Sequence, residues 1–486
     1  MQPKTSKATS EFGFVVKAQD YLLYLEGLPA VKINDILNTQ TKGKGLVTAL
    51  DHEKVEVLML DRERPSPGDT FTIEARGIQL PLENKLLGRA INPLGYPIDG
   101  KPGLTPGGER VDFDLVAPGV DCRKIVTDQI YTGITIVDTL IPIGKGQREL
   151  LFGEPRSNKS MFLIDTILNQ KGKDIICIYV AMGKADIDVK KFIKTLEEEG
   201  GLSYSIIVAA TSSDSAPLIS ISPSMGLSVA EHFVKGGRDV LVIFDDLGTH
   251  AKYLREIGLL SGRMPGRESY PADIFYAHSH LVERAGNFNR KWGNASITLL
   301  PVIETDLENF SNLIPTNVMS MTDGHMLFSS ALRARGYYPS IDPDRSVTRV
   351  GHQTQRSIHK VLADRVRSLI TNYHEMERFG RFGSELTADT QKLLKTGMVA
   401  LELLRQEPLE RIEPNVQILL LSLLFTPFFE NKDLEFVKKN KKKIIEFLAN
   451  SSQTNLIGDK VLTIDLPTLL TDLSQVLSYL EAACQS

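Results

Sequence analysis

Leu150-Leu151-Phe152-Gly153-Glu154-Pro155-Arg156-Ser157-Asn158-Lys159-Ser160 is the stretch on which the reading of this chain turns. A phosphate-binding loop has the pattern G-x-x-x-x-G-K-[ST], entered from a strand and left by a helix. Leu150, Leu151 and Phe152 supply the strand, and the apolar spacing of residues 161–169 predicts the helix. Gly153, Lys159 and Ser160 stand where the pattern needs them, but Asn158 replaces the second glycine. That position needs a left-handed backbone with little room for a Cβ. Asn adopts it more readily than other side-chain-bearing residues, at roughly 1–2 kcal/mol. The Asn side chain also crowds the phosphate approach, and Pro155 removes one N–H early in the loop. Two readings stay open. In one, Gly153, Arg156, Ser157, Asn158, Lys159 and Ser160 cradle a nucleotide, with Lys159 at the β/γ-phosphates and Ser160 on Mg²⁺. In the other, the loop is degenerate and binds nothing.

Further along, Val240-Leu241-Val242-Ile243-Phe244-Asp245-Asp246 is an apolar strand ending in carboxylates. This is the Walker-B arrangement, in which Asp245 supports Mg²⁺ through a bound water. Alone it is weak, because Asp often follows a strand. Downstream of a phosphate loop it points to a P-loop nucleotide-binding core with ATP or ADP and Mg²⁺ as ligands.

Around this core the pattern changes twice. Residues 12–85 hold short apolar runs broken by Gly27, Gly43, Gly45, Pro67-Gly68 and Gly77, which read as a small antiparallel β-barrel or sandwich. Residues 86–355 alternate nearly all-apolar runs (149–152, 175–180, 205–209, 240–244, 297–300) with helix-like stretches such as 189–199. Such runs fit strands of a parallel sheet buried on both faces. Residues 356–486 carry helical spacing at 362–373, 390–404, 416–425, 434–448 and 466–483, with Pro408, Pro414, Pro427 and Gly458 between several of them. The Lys438-to-Lys443 cluster reads as a solvated helix surface.

Composition excludes several classes. The 486 residues are 42% hydrophobic and 24% charged, as in ordinary globular protein. With 56 Lys+Arg against 60 Asp+Glu the net charge is −4, which gives no global pull toward nucleic acid or an anionic membrane. The three cysteines, Cys122, Cys177 and Cys484, form no CxxC pair, so neither zinc nor a disulfide framework is indicated. No apolar run reaches the roughly 18 residues of a membrane helix. The polar segment Met1 to Glu11 has no apolar core of a secretory signal.

Many further motifs agree in order and spacing with one family. Thr132-Gly133-Ile134, Pro142 through Leu150, the loop, Asp245-Asp246-Leu247 and Pro265-Gly266-Arg267-Glu268 resemble the rotary F-type ATP synthase α subunit. So do Leu300 through Thr305, Ile314 through Val318, Ser320 through Gly324, Ser346-Val347-Thr348-Arg349-Val350-Gly351 and Phe382-Gly383-Ser384. The resemblance runs from about Gly13 to Gln406. It implies a multidomain fold: an N-terminal β-barrel, a central α/β RecA-like P-loop NTPase domain and a C-terminal α-helical domain. It also implies alternation with β-type catalytic subunits in a hexamer around a central rotating shaft. Arg349 matches the arginine finger that the α subunit extends into the neighbouring catalytic site, and Ser320 matches a serine beside that interface. A guanidinium suits this role because it stays charged and bridges phosphate oxygens; the bland alternative is an interfacial salt bridge.

Four departures from the family pattern stand out. The first is Asn158. The second is Lys184, where the α subunit has Gln and the catalytic β subunit has Glu. A protonated Lys cannot activate water as a carboxylate does, so this chain is expected not to hydrolyse ATP itself. An ordinary surface lysine at a strand end is the alternative. The third is Gly336 through Pro343, which looks more like the β-subunit version, with Tyr338 matching a tyrosine that stacks on adenine. A packed turn tyrosine is the alternative. Near the α-type adenine pocket Gln406 matches one family glutamine, and Pro408 stands at a second. The fourth is a short N-terminal extension, which leaves attachment of a peripheral stalk open.

The expectation is a non-catalytic α-type subunit, bound to membranes only through partners, on the cytoplasmic face of a bacterial cell membrane or the equivalent energy-transducing side. The rivals are an α-like subunit of a repurposed motor not coupled to ion transport, a self-sufficient hexameric ATPase, and a nucleotide-free structural spacer.

Overall fold

Six short strands near the N-terminus close on themselves because every one of them has a buried face. They are β1 (Phe12–Gln19), β2 (Leu22–Gly27), β3 (Asp35–Thr39), β4 (Lys44–Leu50), β5 (Val55–Met59) and β6 (Thr70–Arg76). In the computed structural model they run β1-β2-β5-β4-β3-β6, all antiparallel, and β1 pairs with β6 to complete a barrel. Leu22, Leu23, Leu25, Leu37, Val47, Val57 and Phe71 fill it. Closure decides between barrel and sandwich and leaves no unpaired edge. At the start of the barrel Gly27 has φ 96°, and a Cβ there would come within 2.6 Å of the Phe12 carbonyl oxygen, so glycine is required. The structure describes residues 12–41, 43–78, 86–104, 113, 115–306, 311–380, 388–450 and 460–485. The segment 1–11, Gly458 and the Phe382-Gly383-Ser384 match lie outside the described residues.

The chain divides into two compact units, Met1–Lys124 with Gly172–Thr322, and Ile125–Lys171 with Asp323–Ser486. In the first, parallel strands lie in the order Ser296–Glu304, Asp239–Asp245, Ile175–Lys184, Ser205–Thr211, Arg89–Ile91. Their cores are fully buried, as continuous apolar runs require when both faces of a parallel sheet are covered. Helices Asp186–Glu198, Ala216–Lys235 and Leu247–Leu260 pack on these strands. Ser215 caps the second by accepting the Leu218 N–H, and its hydroxyl donates to the barrel carbonyl of Leu60 at 2.7 Å.

In the second unit, Glu149–Gly153 runs parallel to Gly324–Phe328, which pairs antiparallel with Ile341–Thr348. Helix Lys159–Leu168 follows the first of these strands. Towards the C-terminus come helices Ser357–Gly380, Ala388–Leu404, Pro414–Ser422, Leu434–Asn450 and Leu466–Gln485. The stretch 416–425 reads as one helix in sequence, but the α-helix ends at Ser422 and Leu423–Phe425 is a 3₁₀ turn. Pro427 is the reason: it forces Thr426 into an extended conformation, φ −111° and ψ 167°, so the helix ends ahead of it. Barrel, α/β sheet and helices thus follow one another along the chain as expected. One detail of the helical region differs. Lys441 is buried within the lysine cluster, with Nζ donating to the Glu402 carbonyl at 2.9 Å, while Lys438, Lys439, Lys442 and Lys443 are exposed.

Candidate nucleotide site

The phosphate loop lies in the second unit. Gly153 has φ 152° and a Cβ there would collide with the Phe328 carbonyl, so the strand can turn into the loop only through glycine. Asn158 stands at the helix N-terminus with φ 64° and ψ 19°, the left-handed conformation that the missing glycine would have taken freely. Arg156 is left-handed as well, with φ 58°. Lys159 is buried and folds back, donating to the Gly153 and Glu154 carbonyls at 3.1 and 2.7 Å and to Ser157 Oγ at 3.1 Å. The loop is braced from outside by Ser340, which donates to the Ser157 carbonyl at 2.6 Å, and by Arg333, which donates to the Arg156 carbonyl. The Ser330 hydroxyl and amide bind the Glu154 carboxylate and hold its pKa below the usual carboxylate range. Ser160 is exposed.

Tyr338 and Gln406 belong to the same unit and are linked: the Tyr338 carbonyl accepts the Gln406 N–H at 2.8 Å. The Tyr338 ring lines a cavity of about 400 Å³ with Tyr337, Arg335, Arg345, His374 and Arg405. Its hydroxyl donates to the Asp165 carboxylate, and burial together with that carboxylate raises its pKa. Gln406 is buried, and its amide is committed to the chain. Oε1 accepts the Thr135 N–H at 2.6 Å, and Nε2 donates to the Gly133 and Glu410 carbonyls at 3.0 and 2.9 Å. Those bonds hold the 133–135 turn, and both amide protons of the side chain are committed within the chain.

The Walker-B carboxylates lie in the first unit. Asp245 ends its strand buried, with Oδ1 2.8 Å from Lys184 Nζ and Oδ2 accepting the Tyr179 hydroxyl at 2.7 Å. Asp246 caps helix Leu247–Leu260, accepting from the Thr249 N–H at 2.5 Å and Thr249 Oγ1 at 3.1 Å. Lys184 Nζ is also 3.8 Å from Asp246 and 3.9 Å from Glu304. Burial alone would lower the Lys184 pKa, but the three carboxylates outweigh it and raise it. Lys184 is therefore no ordinary surface lysine; its side chain is 20% exposed and its charge is engaged. A hydrated Mg²⁺ at Asp245 would meet the Lys184 ammonium, a like charge already held 2.8 Å from Oδ1. Asp245 with this partner does not fit the metal-supporting role expected of it. Among the described residues no group of three or more His, Cys, Asp and Glu is placed to hold a metal ion.

Arg349 is exposed, and its guanidinium makes no hydrogen bond or ion pair with a described residue of this chain. Its backbone is fixed instead. The Arg349 N–H donates to the Asp323 carbonyl at 3.0 Å, and Arg148 grips the Asp323 carboxylate from Nε at 3.0 Å and Nη2 at 2.7 Å. Thr348 Oγ1 donates to the Pro142 carbonyl at 3.0 Å and accepts from Gln147 Nε2 at 3.1 Å. Ser320 is exposed in helix Leu313–Met321 of the first unit, with Oγ donating to the Asn317 carbonyl at 2.6 Å.

Comparison with known proteins identifies the family. Residues 133–348 match the ATP synthase alpha/beta family, nucleotide-binding domain, and residues 355–464 match the ATP synthase alpha/beta chain, C terminal domain. Over 466 residues the chain is 36% identical to ATP synthase subunit alpha of Clostridium botulinum, covering 95% of this chain and 92% of that one. Over 467 residues it is 37% identical to ATP synthase subunit alpha of Clostridium acetobutylicum, with the same coverage. The chain belongs to the ATP synthase α-subunit family.

Within an ATP synthase α-type chain, several residues that shape the site were not visible to sequence reasoning. Tyr179 and Asp165 each hold a partner whose sequence position is far away. Arg148 and Asp323 lie within longer motifs that single out neither of them. One signal for the Lys184 contact was present. A basic residue and an acidic residue both stood at the C-terminal ends of strands in a parallel sheet, and such ends lie side by side.

Proposed function

We propose that this α-type chain is the non-catalytic partner in an alternating hexamer with β-type subunits around a central shaft, and that it supplies Arg349 in trans to their ATP sites. The observation that carries this reading is the exposed Arg349 guanidinium, without a hydrogen bond or ion pair to any described residue, on a backbone held by the Arg148–Asp323 pair. An arginine so presented is available to a partner, and a guanidinium that reaches a transferring phosphoryl group contributes roughly 10³–10⁵ in rate. Ser320, exposed on helix Leu313–Met321 of the first unit, faces a β-type partner in this reading. Lys184 supports the non-catalytic half of the proposal, because a protonated amine held by Asp245 cannot act as a base toward water. The loop 153–160 holds ATP or ADP in a structural role, with phosphates on its backbone N–H groups and Lys159, and Tyr338 offers an aromatic face for the base. The reaction served is interconversion of ADP and phosphate with ATP on the partner, in a complex attached peripherally to the membrane through its other subunits.

The test compares the purified chain with its stoichiometric complex with a β-type partner. Negligible turnover by the chain alone and ATPase activity in the complex are expected. Steady turnover by the chain alone, abolished by Lys159→Ala, would overturn the assignment.

A further inference from the structure

We propose that Lys441 is a modification site, whose amine takes an acyl group from a small acyl phosphate entering the cavity beside helix Leu434–Asn450. Every residue involved lies in the second unit.

The argument starts from how the amine is held. Lys441 is 9% exposed and stands at the wall of a cavity of about 420 Å³. Its Nζ donates to the Glu402 carbonyl at 2.9 Å, and it has no ion pair with a described residue. An ammonium out of water, held by a neutral carbonyl and no counter-charge in contact, is costly to keep charged. The charged groups around it come from two places. Glu402, Arg405, Glu407 and Glu410 face it from the end of helix Ala388–Leu404 and the turn that follows, and Lys438 and Lys442 share its own helix. Arg405 lies 3.9 Å from Glu402 and 3.7 Å from Glu407, so part of their charge is already taken up. Burial prevails over the carboxylates and lowers the Lys441 pKa to about 8.

A neutral amine is a nucleophile, and an ammonium is not. The Lys441 lone pair attacks the acyl carbon and the C–N bond forms. The C–O bond to the phosphoryl group breaks, and the proton lost from nitrogen leaves with the phosphate. The products are an amide and hydrogen phosphate, so no oxidant or reductant is needed. Two features select this class of donor. Lys442, exposed and without an ion pair to a described residue, lines the same cavity and offers a charge to the phosphoryl group. A side chain so little exposed is also reached by a small molecule and not enclosed by a transferase. The amide keeps one N–H for the Glu402 carbonyl and removes the buried charge.

The experiment treats the full chain with acetyl phosphate from about pH 7 to about pH 10 and quantifies acetylation lysine by lysine, by mass spectrometry after cleavage at glutamate. Lys438, Lys439, Lys442 and Lys443 are exposed on the same helix and serve as internal standards. At about pH 7.5 a lysine titrating near 8 has roughly 200 times the neutral fraction of an ordinary one. Lower basicity costs some nucleophilicity, so Lys441 should react about tenfold or more faster than each standard. Its rate should level off above about pH 8, whereas theirs should climb until about pH 10. Lys441 reacting no faster than its exposed neighbours, or rising in parallel with them to the end of the range, would overturn the proposal. In denaturing urea all of these lysines should react alike; a preference that survives unfolding belongs to the local sequence and sinks the idea as well. Lys442→Gln, a change at an exposed position, tests the donor class. It should slow acetylation of Lys441 by acetyl phosphate about threefold or more and leave its reaction with acetic anhydride unchanged. Equal slowing with both reagents, or with neither, would remove the acyl phosphate assignment.

Discussion

Arg148 and Asp323 form a two-pronged pair, Nε to Oδ2 at 3.0 Å and Nη2 to Oδ1 at 2.7 Å, on the residue whose carbonyl anchors the Arg349 N–H. Main-chain bonds close the unit, with the Asp323 N–H donating to the Arg148 carbonyl at 2.8 Å. A bidentate guanidinium–carboxylate contact is directional as well as strong, so it fixes the strand end from which Arg349 projects.

Asp323→Asn keeps one acceptor and loses the charge of this pair. Both partners are about one-fifth exposed, so solvent screens part of the interaction, and the stability loss should be about 1 kcal/mol. In an intact complex with a β-type partner, kcat should fall with little change in KM, because only the placement of Arg349 has been loosened. Urea unfolding and steady-state turnover on the same preparation check this. Loss of stability with unchanged kcat would make the pair merely structural.

Arg349→Lys retains charge but not the planar fork. The assembled complex should survive on size-exclusion chromatography while kcat falls by roughly 10²–10³. Nucleotide affinity at the partner site should change less, since a finger acts on charge that develops in the transition state. Near-normal kcat in an intact complex would remove the role proposed for this residue.

Asn158→Gly relieves a side-chain-bearing residue held at φ 64°. The expected effect on ADP binding is a gain of up to about tenfold, from a strain on the order of 1 kcal/mol and a clearer phosphate approach. Equilibrium titration in EDTA and in Mg²⁺ measures it. Unchanged or weaker binding would show that the loop is not limited by this residue.

Lys441 gives a pH dependence with a definite sign. Burial, reinforced by the like charge of Arg405, lowers its pKa from the ordinary lysine value to about 8, against partial compensation from Glu410 and Glu402. The folded chain thus releases this proton near pH 8, while the unfolded chain keeps it until about pH 10.4. Stability from this group is lowest below pH 8 and rises as pH climbs from 8 toward 10.4. Lys441→Met should therefore be more stable than the wild type at pH 7, by on the order of 1–3 kcal/mol less the lost bond to Glu402. The difference should shrink between pH 8 and 10, as urea midpoints across that range would show. A difference constant with pH would mean that the lysine stays charged when folded.

Sequence alone determined the elements and the loop, because the forces that make them act between near neighbours. The apolar runs at 175–180 and 240–244 became buried strands, and helical spacing at 434–448 became helix Leu434–Asn450. Asn158 adopted the left-handed turn that its place in the phosphate-loop pattern demands. What Lys184, Gln406 and Lys441 do was settled only by tertiary structure. Lys184 meets Asp245 because strands Ile175–Lys184 and Asp239–Asp245 lie side by side with Ala181 opposite Asp245. That register is fixed by burial along both strands and not by either residue. Gln406 turns its amide into the 133–135 segment, and Lys441 sinks against Glu402, only once distant parts of the chain are packed together. Periodicity in sequence reports which face of an element is apolar. Which charged group stands opposite a given carboxylate depends on contacts across long loops, and those exist only in the folded chain.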